Sequence, residues 1–405
     1  MKTYIIAWRN LWRNKRRTLI TLSSIFFGVL LAILMRSMQE GSYINMINNV
    51  VKFYSGYIQI HDKDYWENKT LYYAFQPSDS LTESIKKTED VTLISHRLES
   101  FALISSGENT QSAMVVGIEP FNENQITFLS KWLIKGEYLE SGSKGVLLAQ
   151  ELAANLHADT GDTVVLLSQG YYGSNEAAKF VIEGILRFPS PELNKRFCYL
   201  DLGAAQDFYS AGGMITSIVI MVPDYSDVSR VLGDLSNNIS PSYAAISWDK
   251  MQPEMVQMIS GDRAGGVVMI FILYIIIAFG ILGTVIMMIA ERKKELAIMV
   301  AIGMQKSRLG SILFMETLYI GLIGVGTGIM VSIPIVLIMI HNPIPLTGSA
   351  AQAMQDMGIE PLMYFAGAPK IFVFQVITVL IITFLVSLYP LLSARSFNVI
   401  RWMRG

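Results

Sequence analysis

The 405-residue chain is 52% hydrophobic and only 16% charged, with a formal net charge of −1, whereas ordinary soluble domains are about 25% charged. Its single cysteine, Cys198, excludes an internal disulfide or a thiolate cluster, and the four histidines at 61, 96, 157 and 341 lack metal-ligand spacing. No G-x-x-x-x-G-K-[ST] stands in the chain, so it binds no nucleotide phosphate through a P-loop of its own; no nucleic-acid partner is expected either.

Residues 1–17 carry Lys2, Arg9, Arg13, Lys15, Arg16 and Arg17 without an acid, and set Ile5, Trp8 and Leu11/Trp12 at helical spacing. This pattern predicts a cytoplasmic helix lying in the membrane interface, with indoles at headgroup level. A basic flank without fixed structure is the plainer alternative. Thr18–Met35 then contains no charged residue and predicts a first span over 18–38. A signal peptide would need a small-x-small cleavage site, which Arg36-Ser37-Met38-Gln39-Glu40 does not offer, so the span is read as uncleaved.

Residues 39–262 read as a water-facing domain. Met35, Met38, Met46/Ile47, Val50/Val51 and Tyr54 continue a helical stripe out of the first span, and Met251, Met255 and Met258/Ile259 do the same before the second. Both are expected to be stalk helices, the second with Pro253 in its first turn. Between them lie β-type runs at Tyr57–His61, Leu103–Ser106, Ala113–Ile118, Gly145–Ala149, Thr163–Ser168, Phe180–Leu186 and Ile218–Val222, with short helices at Glu151–His157 and Gly203–Tyr209. The expectation is a mixed α+β domain of two lobes. His61-Asp62-Lys63-Asp64 is read as a solvated turn, and nothing in the domain is arranged as a catalytic site.

Further uncharged runs predict spans at 264–290, 309–340 and 371–392, separated by a short loop at 291–308 and a second loop at 341–370. The 291–308 loop holds Arg292, Lys293, Lys294, Lys306 and Arg308 against Glu291 and Glu295, and the tail 393–405 adds Arg395, Arg401 and Arg404. With the basic N-terminus, these place both termini and the 291–308 loop in the cytoplasm and the large domain outside. Within the loop, charges occupy the first turn of a short amphipathic helix, Leu296, Met299, Val300 and Ile302 form an apolar side, and Gly303 is placed to cap it. Such a helix either lies on lipid or docks into a groove on a cytoplasmic partner.

In the third span, Glu316 is costly unless it is paired, hydrogen-bonded or reached by water. Gly321, Gly324, Gly326 and Gly328 thin the same helix, and Gly324-x-x-x-Gly328 admits a close neighbour. That neighbour is either a second subunit or another helix of this chain.

The segment Glu291–Leu309 (ERKKELAIMVAIGMQKSRL) closely resembles the coupling helix of the FtsX/LolC/LolE/MacB-type ABC transporter permeases. Ala7-Trp8-Arg9-Asn10 with Arg16-Arg17-Thr18, Phe314-Met315-Glu316, Tyr389-Pro390 and, in the domain, Gly117-Ile118-Glu119-Pro120 agree with the family in order. The resemblance implies four transmembrane helices with a large α+β periplasmic domain inserted between helices 1 and 2, in a bacterial inner membrane. It also implies a second permease copy or paralogue and a separate cytoplasmic ATPase dimer that uses ATP and Mg, while this chain binds no cofactor and is not itself an enzyme. ATPase contact is carried onto Glu291, Arg292, Glu295, Leu296, Ala301 and Gly303. The tail departs from the family at Phe397–Arg401, and no ATPase domain precedes the first span as in the MacB branch.

Among family activities, release of lipoproteins from the inner membrane fits the layout best, with a periplasmic chaperone or adaptor as partner. Gln169–Asn175, with Tyr171 and Tyr172, lies about where one LolC-type subunit extends a chaperone-binding loop, although a plain hairpin turn is the better account, because the loop is short and lacks a proline. Adaptor-coupled efflux of peptides or small molecules and activation of cell-wall hydrolases are the alternatives.

Overall fold

The computed structural model describes residues 3–13, 15–188, 191–356 and 361–395. It divides into two compact units: a helical one formed by residues 1–43, 258–345 and 362–405, and a β-rich one formed by residues 44–257 and 346–361. The predicted tail beyond Arg395 lies outside the described residues.

The helical unit contains α1 (Thr3–Arg13), α2 (Lys15–Val50), α3 (Pro253–Glu291), α4 (Lys293–Ala301), α5 (Lys306–His341) and α6 (Pro369–Arg395), of which α2 and α3 extend beyond it in sequence. Helices α2, α3, α5 and α6 are each long and apolar enough to cross a membrane. Two of them outrun the predicted spans: α2 continues to Val50 before a π-helical turn at Val51–Ser55, and α3 begins at Pro253, whose missing N–H costs nothing in a first turn. Between α5 and α6 the predicted loop pairs Ile344–Pro345 with Leu362–Met363 and adds a helix at Ser349–Asp356.

Because lipid tails are as apolar as leucine, close backbone approach and van der Waals contact hold such helices together. The glycines show where that happens. A Cβ on Gly324 would stand 2.8 Å from Ile25 Cβ, and one on Gly328 2.9 Å from Val29 Cβ, so this pair seats α5 on α2 within the chain. A Cβ on Gly321 would run into Thr383 of α6. Gly28 of α2 gives the same room to Ile277 of α3.

In the β-rich unit the strands are β1 (Ile58–Asp62), β2 (Leu93–Ser106), β3 (Asn109–Ile118), β4 (Leu133–Gly136), β5 (Val146–Ala149), β6 (Thr163–Gln169), β7 (Asn175–Leu186), β8 (Phe197–Asp201), β9 (Ser217–Met221) and β10 (Tyr243–Ser247). They form one ten-stranded sheet ordered β10-β1-β9-β2-β3-β8-β5-β7-β4, with β6 paired to both β2 and β7. Two separate lobes were expected; instead the long strand β2 belongs to two groups at once. Its first half, Leu93–Arg97, pairs with β9, and its second half pairs with β3 and β6. The pairings β2-β3-β8-β5-β7-β6 and back to β2 close a six-strand ring, which leaves those strands without a free edge.

Two amphipathic helices illustrate why the local sequence folds as it does. Asp79–Lys87 starts where the Ser78 hydroxyl accepts from the Leu81 N–H, buries Leu81 and Ile85 one turn apart, and ends on Lys86 and Lys87. Val228–Asn238 buries Val228, Val231 and Leu235 by the same spacing.

Candidate functional site: the short helix between the second and third spans

Helix α4 follows α3 after a single residue, Arg292, whose backbone lies outside the helical region (φ −98°, ψ 11°). Its end is a Schellman motif. Gly303 takes φ +106°, the Gly303 N–H donates to the Val300 carbonyl at 3.0 Å, and the Met304 N–H donates to that of Met299 at 3.0 Å. Only glycine adopts that φ without strain, so Gly303 fixes where α4 stops and α5 begins.

The inner side of α4 buries Leu296 and Ala297 in a cluster with Leu11 of α1, Val285 and Ile289 of α3, and Leu309 and Leu313 of α5. Charges reinforce that seat. Arg292 donates from Nη1 to both carboxylate oxygens of Glu316 at 3.1 Å, with both side chains about 5% exposed. The Arg292 Nε also reaches Glu295 Oε2 at 3.4 Å, and Arg13 of α1 donates to the same Glu295. Arg13, Glu295, Arg292 and Glu316 thus form one chain of contacts running across α1, α4 and α5. Beside it lies a void of about 10 Å³ bounded by Thr18, Thr21, Thr284, Glu316 and Thr317, room for one water. Helix α1 is pinned by the burial of Ala7 and Leu11 and by the edge-to-face contact of Trp8 with Tyr319, ring centres 5.7 Å apart.

Two of the six residues expected to contact an ATPase lie inside this chain: Arg292 and Leu296 are 4% and 1% exposed and hold α4 to its own neighbours. Glu291, Glu295, Ala301 and Gly303 are exposed. The apolar groups that do face outward are Ile298, 51% exposed, and Ile302, 82% exposed, four residues apart and therefore on one face. Ile298 does not stand out in the sequence because α4 has apolar residues on every side, so periodicity alone cannot select its outward face.

The β-rich unit places the remaining predicted residues. Gly170–Ser174 closes the β6–β7 hairpin, with the Gly170 N–H donating to the Ser174 carbonyl at 2.8 Å and Gly173 at φ +82°. Tyr171 is held by its N–H to the Tyr209 carbonyl at 2.7 Å and packs on the core, while Tyr172 projects at 80% exposure. The two tyrosines are therefore not equivalent.

His61 is not part of a solvated turn. It is fully buried in β1, stacked on Tyr65 with ring centres 5.0 Å apart, and its Nδ1–H donates to the Thr216 carbonyl at 2.9 Å. Burial pushes its pKa down to about 4. Nearby, Arg97 is wholly buried and binds Glu123 in bidentate fashion, Nε to Oε2 at 3.0 Å and Nη2 to Oε1 at 2.6 Å, while Ser95 and Thr127 donate to the same carboxylate. Arg97 stays charged because Glu123 and Glu99 oppose the cost of burial, whereas burial raises the pKa of Glu99. This cluster cross-braces β2 with the helix Pro120–Thr127. Among the described residues no three His, Cys, Asp or Glu side chains converge as a metal site.

Four membrane-length helices, a β-rich domain between the first two, and a short charged helix between the second and third are the layout of a multi-pass membrane protein. Residues 18–237 match the MacB-like periplasmic core domain and residues 267–399 the C-terminal domain of FtsX-like permeases. The chain belongs to the FtsX/MacB/LolC-type family of ABC transporter permeases. It is 23% identical over 306 residues to the lipoprotein-releasing system transmembrane protein LolC of two strains of Xylella fastidiosa, covering 72% of this chain and 73% of the relative. Among solved structures it is similar to the periplasmic region of MacB from Actinobacillus actinomycetemcomitans, at 14% identity and a TM-score of 0.37, over 51% of this chain and 95% of the other. It is also similar to the extracellular domain of the transporter YknZ from Gram-positive bacteria, at 10% identity and a TM-score of 0.34, over 47% and 99%.

Proposed function

We propose that the chain relays ATP-driven motion from a separate cytoplasmic ATPase dimer, which uses ATP and Mg, to its own outward-facing domain. The observation that carries this reading is the split character of α4: Leu296, Ala297 and Arg292 bind it to the helical unit, while Ile298 is half exposed and Ile302 is largely exposed among the described residues. A helix seated rigidly on one side and apolar on the other transmits a push applied to its outer face. In this reading both termini and α4 are cytoplasmic, the domain is periplasmic, and a second permease copy or paralogue completes the transporter.

The cargo we assign is lipoprotein released from the inner membrane for outer-membrane sorting. Its support is the similarity to LolC over nearly three-quarters of both chains. Tyr172, projecting from its hairpin, is the residue we assign to a periplasmic chaperone. Adaptor-coupled efflux is the second reading, supported by the MacB-like match over 18–237. Reconstitution of the permease with its co-purifying ATPase and endogenous lipoproteins in liposomes decides between them. ATP-dependent appearance of lipoprotein in the soluble fraction, upon addition of a lipoprotein chaperone, is the expected result. Hydrolysis without release would contradict lipoprotein release and favour efflux or cell-wall hydrolase activation.

A further inference from the structure

The helical unit contains a cleft of about 580 Å³ between the ends of α2, α3 and α6 nearest the inserted domain in sequence, in the size range of small-ligand sites, roughly 300–1,000 Å³. Its residues fall on single helical faces. Arg263, Val267, Ile270/Phe271 and Tyr274 line it from α3, and Lys370, Ile371, Phe374, Gln375 and Thr378 line it from α6, with Arg36 and Glu40 of α2 closing one end. On each helix the charged residue comes first and the apolar ones follow. The stretch from Arg263 to Tyr274 spans about 16 Å at 1.5 Å per residue, close to the roughly 15 Å depth of one hydrocarbon leaflet. The cleft therefore has a charged mouth and an apolar floor along the direction in which a lipid is charged and then apolar.

The charges do not balance at the mouth. Arg36, Arg263 and Lys370 face a single lining carboxylate, Glu40, which lies 3.6 Å from Arg263 Nη2 and 3.9 Å from Lys370 Nζ, contacts too long for tight ion pairs. Arg36 donates to the neutral Gln39 amide at 2.8 Å. The nearby Asp262 is not among the lining residues, and its carboxylate accepts from the Tyr43 hydroxyl at 2.6 Å. With the Asp262 carboxylate beside them, one positive charge remains in excess at the top of an apolar groove whose walls, Val267, Phe271 and Phe374, are 57%, 62% and 66% exposed. Beside the mouth, Ser37 and Ala366 exchange hydrogen bonds, Oγ to carbonyl at 2.6 Å and N–H to carbonyl at 2.9 Å, and Gly41 lets α2 meet the backbone of Phe365.

We propose that this cleft binds an anionic phospholipid, its phosphodiester on Arg36, Arg263 and Lys370 and one acyl chain along Val267, Phe271 and Phe374. The excess positive charge selects a phosphate-bearing lipid over an acylated protein anchor, which carries diacylglycerol without phosphate. The inference is thus independent of the cargo assigned above.

The test is the composition of lipid retained by the full-length permease, with its ATPase, after purification from vesicles of phosphatidylcholine containing a minority of phosphatidylglycerol. Phosphatidylglycerol should be enriched, and replacing Arg36, Arg263 and Lys370 together by Gln should reduce that enrichment at least about fivefold. Glu40→Gln removes the opposing carboxylate and should increase enrichment, a gain that misfolding cannot produce. Val267→Trp fills the groove while sparing the cations and should also abolish enrichment. Unchanged enrichment in the triple variant, a loss in Glu40→Gln, or full retention in Val267→Trp, as a site for free phosphate would show, overturns the proposal.

Discussion

Arg292, the one residue between α3 and α4, spends its guanidinium on Glu316, one of the few charged side chains buried inside the helical unit, at 3.1 Å to both oxygens. The pair explains why a carboxylate is tolerated early in the third span, and it fixes the base of α4 to α5. Buried pairs of this kind are a poor source of net stability but are costly to break.

Removing one partner should therefore destabilise the protein more than removing both. Arg292→Met or Glu316→Met alone is expected to cost about 3–5 kcal/mol, and the double substitution should recover most of it. Unfolding of the detergent-solubilised variants, arranged as a double-mutant cycle, measures the coupling. Additive single effects would mean that the two side chains do not depend on each other.

The glycines of α5 predict a graded series. Gly324→Ala and Gly328→Ala place a methyl against Ile25 and Val29 of α2 and should cost about 1–3 kcal/mol by overpacking. Gly326→Ala meets nothing within 4 Å and should be neutral or slightly stabilising. Equal melting temperatures across the three would argue against the close α2–α5 contact.

His61 gives the β-rich unit a defined acid sensitivity. Its folded pKa of about 4 lies below the unfolded value of 6.5, so the unfolded chain binds the extra proton. The stability it contributes is full above 6.5 and is lost as pH falls through that window towards 4, by about 3 kcal/mol in all. The pH dependence of unfolding should flatten between pH 6.5 and 4 in His61→Phe. An identical slope in the wild type and the variant would place the titration elsewhere.

How much of this was legible in the sequence depends on whether a signal was local. The uncharged runs, the Gly303 cap and most strands could be read because composition, φ and alternation act within a few residues. Strand β8 was not, since Phe197–Asp201 is short and its identity comes from lying between β3 and β5, far away in sequence. His61 and Arg97 look like surface residues until Thr216 and Glu123 are brought to them by the sheet. The same limit governs α4. The sequence located the helix and Glu316, but the pairing of Glu316 with Arg292, and with it the inward face of α4, follows only from packing against α1 and α5.

The outward face of α4 tests the central claim most directly. Ile298→Asp combined with Ile302→Asp leaves Leu296, Arg292 and Glu316 untouched, so the permease should still insert and fold. Co-purification of the ATPase with this variant should fall to background, and ATPase activity in the assembled transporter should be lost with it. Undiminished association, with membrane insertion confirmed, would contradict the claim that α4 is where the ATPase delivers its motion.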